Sequence, residues 1–239
     1  MTKTAVVAGV GAGLGAALVR KFAREGYQVG MMARSTEFMQ SLADEMEAQG
    51  HRVLPVPTDL TDPEQVAGGF ARVKGELGPV DVLINHAGNA AWKDFMELTL
   101  EDLEQAWRIC VGGSFLCSQA VIGDMVERGA GSILFTGATS SIRGRADGLA
   151  FSSAKFAVRG LAESLARKFW PQGIHVAHII IDGWLATEAV RKQNPDAEDT
   201  PMLDVDHVAA SYWALTEQER GGWSFEIEMR AYNEEEFFG

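Results

Sequence analysis

Four glycines in seven positions, Gly9, Gly11, Gly13 and Gly15, are the residues of this chain whose spacing most directly suggests chemistry. Without side chains, a backbone can come within hydrogen-bond distance of a phosphate. Leu14, Ala17, Leu18 and Phe22 recur at helical spacing just beyond. The N–H groups and positive end of that helix therefore point back at the glycine turn, where an anion would be stabilised. A tight strand-to-helix turn that needs glycine only for its backbone angles is the competing explanation. Histidines are sparse: His86 and His178 alone fall near expected strand ends, and His178 sits within an apolar run that suits a packed core residue. Cys110 and Cys117 lie seven apart on one expected helix, too distant for a local disulfide, and read as reduced thiols. No metal site is expected.

The elements that must position these residues follow from periodicity. Ala5 to Ala8 is a near-continuous apolar run, as in a strand buried on both faces. Gln28 to Ala33, Arg52 to Pro57 and Val80 to Ile84 repeat that signal, each separated from the next by an amphipathic stretch. Asp62 or Thr61 can cap the third helix, with Pro63 in its first turn. Thr99 to Arg128 reads as one long helix weakened at Gly112 and Gly113, followed by a strand over Ser132 to Thr136 and a helix over Leu149 to Phe169. A sixth strand spans His175 to Ile181, an irregular acidic segment Trp184 to Pro201, a helix Val205 to Thr216 and a last strand Trp223 to Ala231. Strands alternating with helices indicate a parallel sheet, and no linker or repeat divides residues 1–239 into domains.

Composition narrows the function. Asp and Glu outnumber Lys and Arg by 33 to 21, giving a net charge of −12, which argues against nucleic acid or anionic membrane as partner. No apolar run approaches the ~20 residues of a membrane span, and the start lacks a signal-peptide pattern, so a cytoplasmic location is expected.

Several ordered motifs resemble the short-chain dehydrogenase/reductase family along nearly the whole chain. Ala8-Gly-Val-Gly-Ala-Gly-Leu-Gly15 is similar to its Thr-Gly-x-x-x-Gly-x-Gly loop, Asp59 stands where an adenine-contacting Asp follows the third strand, and Asn85-His-Ala-Gly88 resembles Asn-Asn-Ala-Gly. The resemblance implies an α/β fold: one Rossmann-type, doubly wound domain with a seven-stranded parallel sheet and helices on both faces. It implies cofactor contacts at Gly9, Gly11, Gly13, Leu14, Gly15, Asp59, Leu60, Asn85, Ala87, Gly88, Lys155 and Thr187. An NAD site usually ends its second strand in a carboxylate, whereas this chain has Arg34 and Ser35 there. Arg34 can pair bidentately with a 2′-phosphate and Ser35 can add a hydrogen bond, so NADP(H) is expected over NAD(H).

The same resemblance exposes a departure. The family's catalytic Tyr and Lys, four residues apart, fall on Phe151 and Lys155, and a benzene ring has no proton to give. The family's serine falls on Ala138 and its asparagine on Cys110. Of the polar catalytic set, Lys155 remains. Thr139, Ser140 and Asp182 are substitute candidates, although hydroxyls in such loops commonly bond the backbone and a strand-end Asp commonly caps a helix. The expectation is an NADP(H)-dependent oxidoreductase acting on a small-molecule carbonyl, alcohol or imine. The alternatives are an inactive NADP(H)-binding regulator or scaffold and a non-redox isomerase or cyclase. A homodimer or homotetramer is implied through the helices over Thr99 to Arg128 and Leu149 to Phe169, with Tyr232, Phe237 and Phe238 as a second contact surface.

Overall fold

A computed structural model describes residues 2–193 and 200–235. Seven strands form one parallel sheet, in the spatial order 53–57, 28–33, 4–8, 82–85, 131–136, 174–181 and 226–229. In chain order the sheet strands and their helices are β1 (Thr4–Ala8), α1 (Leu14–Arg24), β2 (Gln28–Ala33), α2 (Thr36–Ala48), β3 (Val53–Pro57), α3 (Pro63–Leu77) and β4 (Val82–Asn85). There follow α4 (Leu100–Trp107), α5 (Gly113–Arg128), β5 (Gly131–Thr136), α6 (Leu149–Phe169), β6 (Ile174–Ile181), β7 (Trp184–Leu185), α7 (Glu188–Gln193), β8 (Met202–Leu203), α8 (Val205–Thr216) and β9 (Glu226–Met229).

The sheet separates two hydrophobic cores, which is why its central strands read as continuous apolar runs. On β1, Ala5 and Val7 join the core with α1, α2 and α8, while Val6 and Ala8 join the core with α3, α5 and α6. The chain leaves β3 at one edge and returns beside β1 as β4, so the strand order reverses between β1 and β4. That reversal opens a crevice at the carboxyl ends of the central strands. Asp62 caps α3 by accepting from the N–H groups of Glu64 and Gln65, and Pro63 occupies the first turn.

Four expectations change. The helix expected over Thr99 to Arg128 is broken by a π turn, Arg108–Gly112, between α4 and α5. The glycines permit it, and a Cβ on Gly113 would lie 3.3 Å from the carbonyl oxygen of Leu60, so that position also serves a close approach. Residues 100–128 are long enough to span a membrane and contain an 18-residue window with a mean hydropathy of 1.5, against the expectation that no segment does. They pack on α3, α6 and the sheet, as the cover of a core. The last strand, Glu226–Met229, is shorter than Trp223 to Ala231; Trp223 lies before it, its ring stacked on His175 at 4.9 Å with an interplanar angle of 5°. The segment after β6 carries regular structure among its described residues: β7 pairs in parallel with β8, and α7 lies between them. Phe237 and Phe238 lie outside the described residues, and Tyr232 is fully exposed.

Candidate functional site

The glycine turn after β1 forms one wall of a cleft of about 700 Å³. Three of its glycines answer to the fold itself. Gly9 has φ +111°, and a Cβ there would lie 2.4 Å from the Ala87 backbone nitrogen; on Gly13 it would meet Thr187 Cγ2 at 3.0 Å, and on Gly15 the Gly9 carbonyl oxygen at 2.8 Å. Gly11 is different, since a Cβ there would touch nothing within 4 Å. Its bareness serves what enters the cleft. No side chain caps α1 and no acidic residue occupies its first turn, which leaves the positive helix end at Gly13 and Leu14 open to an anion.

The ends of β2 and β3 supply the far wall. Arg34 and Ser35 are exposed and line the cleft, and Arg34 makes no hydrogen bond among the described residues. Ser35 stands at the N-cap of α2 without a side-chain cap bond. Asp59 also lines the cleft, but its carboxylate accepts from the N–H and hydroxyl of Thr61 at 2.9 and 2.8 Å. Those bonds, with a smaller contribution from the Arg34 charge, hold its pKa below the usual carboxylate value. Leu60, Ala87, Gly88 and Thr187 are brought to the same cleft. Asn85 is not. It is buried under the cleft, donating to Ser118 Oγ at 3.1 Å, with its Oδ1 unpartnered.

Lys155 sits behind Gly88, 4% exposed, and donates to the Thr136 carbonyl at 2.8 Å. A Cβ on Gly88 would lie 3.2 Å from its Nζ, so that glycine keeps the ammonium in reach of the cleft. Burial lowers the Lys155 pKa from 10.5, with Cys110 opposing weakly. One helical turn earlier, the Phe151 ring centroid is 5.4 Å from Nζ and 5.4 Å from the ring of Trp92. Cys110 is buried on the π turn beside Gly88, its thiol 3.9 Å from the Asn89 carbonyl. Cys117 lies deeper, its thiol pushed up to about 12 by burial.

The substitute candidates are largely committed to one another. Asp182, 6% exposed, accepts from Thr139 Oγ1 at 2.5 Å, from Arg143 at 2.7 Å and from Arg230. Among the described residues it accepts from no helix N–H, and its oxygens already hold three donors. Ser140 is buried, and Ser141 Oγ accepts from the Ala138 N–H at 3.1 Å. His178 is a buried core residue whose Nδ1 meets Glu226 at 2.9 Å. Arg143, Arg230, Thr136 and Tyr212 gave no signal as site residues in sequence, because their partners lie tens of residues away.

A doubly wound parallel sheet with a glycine-floored cleft at its switch point is a Rossmann-type architecture. The model for short chain dehydrogenases matches residues 3–198. Oxidoreductase UcpA of Salmonella typhimurium is 30% identical over 208 residues, 85% of this chain and 78% of that protein. A crystal structure of a short-chain dehydrogenase from Rhodopseudomonas palustris superposes with TM-score 0.82 at 32% identity, covering 96% and 99% of the two chains. L-sorbose reductase of Gluconobacter frateurii, solved with NADPH and L-sorbose, shares the fold at TM-score 0.88 and 21% identity, covering 96% and 95%. This chain belongs to the short chain dehydrogenase family.

Proposed function

We propose that the protein is an NADP(H)-dependent oxidoreductase of this family with an altered proton-handling site. The observation that carries the cofactor reading is the end of β2, where the exposed Arg34 lines the cleft with no hydrogen-bond partner among the described residues and the strand ends in Arg34-Ser35 rather than in a carboxylate. In this reading the loop around Gly11 and the start of α1 hold the pyrophosphate, and Arg34 with Ser35 holds the 2′-phosphate. Lys155 behind Gly88 holds the ribose near the nicotinamide, and Thr187 orients the far end of that ring. When bound, the nicotinamide gives or takes a hydride. The NADPH in the L-sorbose reductase structure supports the same assignment.

Phe151 stands at the family's tyrosine position in this reading and supplies no proton. The Thr139 hydrogen is directed to Asp182, and Asp182 is held by two arginines. Lys155 spends one of its three N–H donors on Thr136 and keeps two for a water or a substrate atom. That arrangement suits an iminium, which accepts hydride at carbon with no further proton, or a carbonyl or neutral imine that takes its proton through water held by Lys155. Dissociation constants for NADPH and NADH, with loss of NADPH absorbance over a carbonyl and imine panel, test the proposal. Preference for NADH would remove the cofactor assignment. Tight NADPH binding with no turnover on any substrate would favour the second reading, a binding protein, to which the replacements at Cys110, Ala138 and Phe151 also point. The exposed Leu100, Trp107, Phe115 and Phe156 of α4 to α6 support self-association, which light scattering measures.

A further inference from the structure

Beneath the cleft, side chains from three separate elements meet in a line. Tyr212 of α8, wholly buried, donates its hydroxyl hydrogen to Thr136 Oγ1 at 2.8 Å. Thr136 Oγ1 in turn lies 3.1 Å from His86 Nδ1. His86 forms part of the cleft wall beside Ala87 and Gly88.

Hydrogen-bond accounting orients the whole line. Tyr212 has no acceptor for its hydrogen other than Thr136 among the described residues, and a buried phenol needs one. Thr136 therefore accepts there, and its own single hydrogen is left for His86 Nδ1. With Nδ1 accepting, a neutral imidazole carries its proton on Nε2. The neutral ring is favoured as well: partial burial, reinforced by the Lys155 charge, pushes the His86 pKa down. Protonating the ring would put a hydrogen on Nδ1 against the Thr136 hydroxyl and a second positive charge beside Lys155.

We propose that His86 is a cofactor-binding residue, whose Nε2–H, held in one tautomer by Thr136 and Tyr212, donates a hydrogen bond to an oxygen of the bound dinucleotide between the glycine turn and Lys155. Thr136 and Tyr212 are positioning residues, acting only through the ring. The inference rests on the nicotinamide-dinucleotide reading of the cleft. It explains why the strand-end position before Ala87 carries a side chain that is half-buried yet tied from behind to the opposite core.

Two measurements test it. Long-range ¹H–¹⁵N NMR of the free protein, with the His86 signals assigned by their loss in His86→Gln, reads the tautomer directly; Nε2–H is expected. Fluorescence titration then gives NADPH Kd values. His86→Ala should weaken binding by roughly 2- to 13-fold, the worth of one net hydrogen bond. Thr136→Val should weaken it by a similar factor, with the double variant no worse than either single one. Tyr212→Phe, which keeps the packing, should leave the fold intact and mix the two tautomers. An Nδ1–H tautomer in the wild type, or an unchanged Kd in His86→Ala while the wild type binds, overturns the inference and leaves the cleft reading standing. Failure of the wild type to bind NADPH or NADH overturns both.

Discussion

Replacing Arg34 by Ala should remove the preference for the phosphorylated cofactor without removing dinucleotide binding. A hydrogen bond to a charged group is worth about 1.5–3 kcal/mol, or ~13- to ~160-fold in Kd. Arg34 is exposed, so solvent and salt screen its charge, and the lower end applies: about a tenfold rise in the NADPH Kd at 0.1 M salt. Binding of NADH should change by less than twofold, because the turn at Gly11 and the end of α1 do not depend on Arg34. Arg34→Asp should go further and invert the preference, by repelling the phosphate and accepting from the ribose hydroxyls. Fluorescence titration with each cofactor, at low and high salt, measures all of this. An Arg34→Ala protein that keeps the wild-type ratio of the two Kd values would refute the reasoning, whatever its activity.

Two glycines give contrasting outcomes. Gly9→Ala puts a Cβ 2.4 Å from the Ala87 nitrogen at φ +111° and should cost at least about 2 kcal/mol in denaturant unfolding, whereas Gly11→Ala, with open space around it, should keep stability and weaken cofactor binding. Phe151→Tyr places a hydroxyl one helical turn from Lys155 and should raise carbonyl reduction by ~10²- to 10⁴-fold on whichever panel substrate the wild type turns over most slowly; no increase in a folded variant would show that Phe151 is not the missing acid. His178 has its pKa lowered from 6.5 to about 4, mainly by burial, so the unfolded chain binds the extra proton between those values and stability falls as pH drops through that window. The lost stability is roughly 2 kcal/mol by pH 5. Urea midpoints at pH 7 and pH 5 measure it, and the pH dependence should shrink in His178→Gln.

Much of the fold is legible in local sequence, since it depends on period and punctuation. β1, β2 and β3 announce themselves as short apolar runs, and Asp62 and Pro63 mark the start of α3 within a residue. The interruption at Arg108–Gly112 was visible only as a weakness at two glycines, because a π turn reflects how α4 and α5 must each seat on different neighbours. The β9 boundary was missed because Trp223 has strand propensity, whereas pairing with β6 begins only at Glu226.

The site divides the same way. Spacing alone pointed to the glycine turn, whereas Arg34, Asp59 and the Phe151–Lys155 pair entered through the family resemblance; Arg34 and Asp59 line the same cleft as that turn. The commitments among polar groups were decided by tertiary structure. Asp182 read as a substitute acid or a helix cap, yet it accepts from Thr139, Arg143 and Arg230, contributed by two different segments. Asn85 looked cofactor-facing, yet Ser118 of α5 turns it inward. Tyr212 and Thr136 are 76 residues apart and carry no motif, but a buried hydroxyl must find a partner, and the partner it finds orients His86 at the cleft. By itself, sequence determined which donors and charges this protein owns. Only the packed sheet, by burying them and removing water as the alternative partner, decided which of them remain available to a ligand.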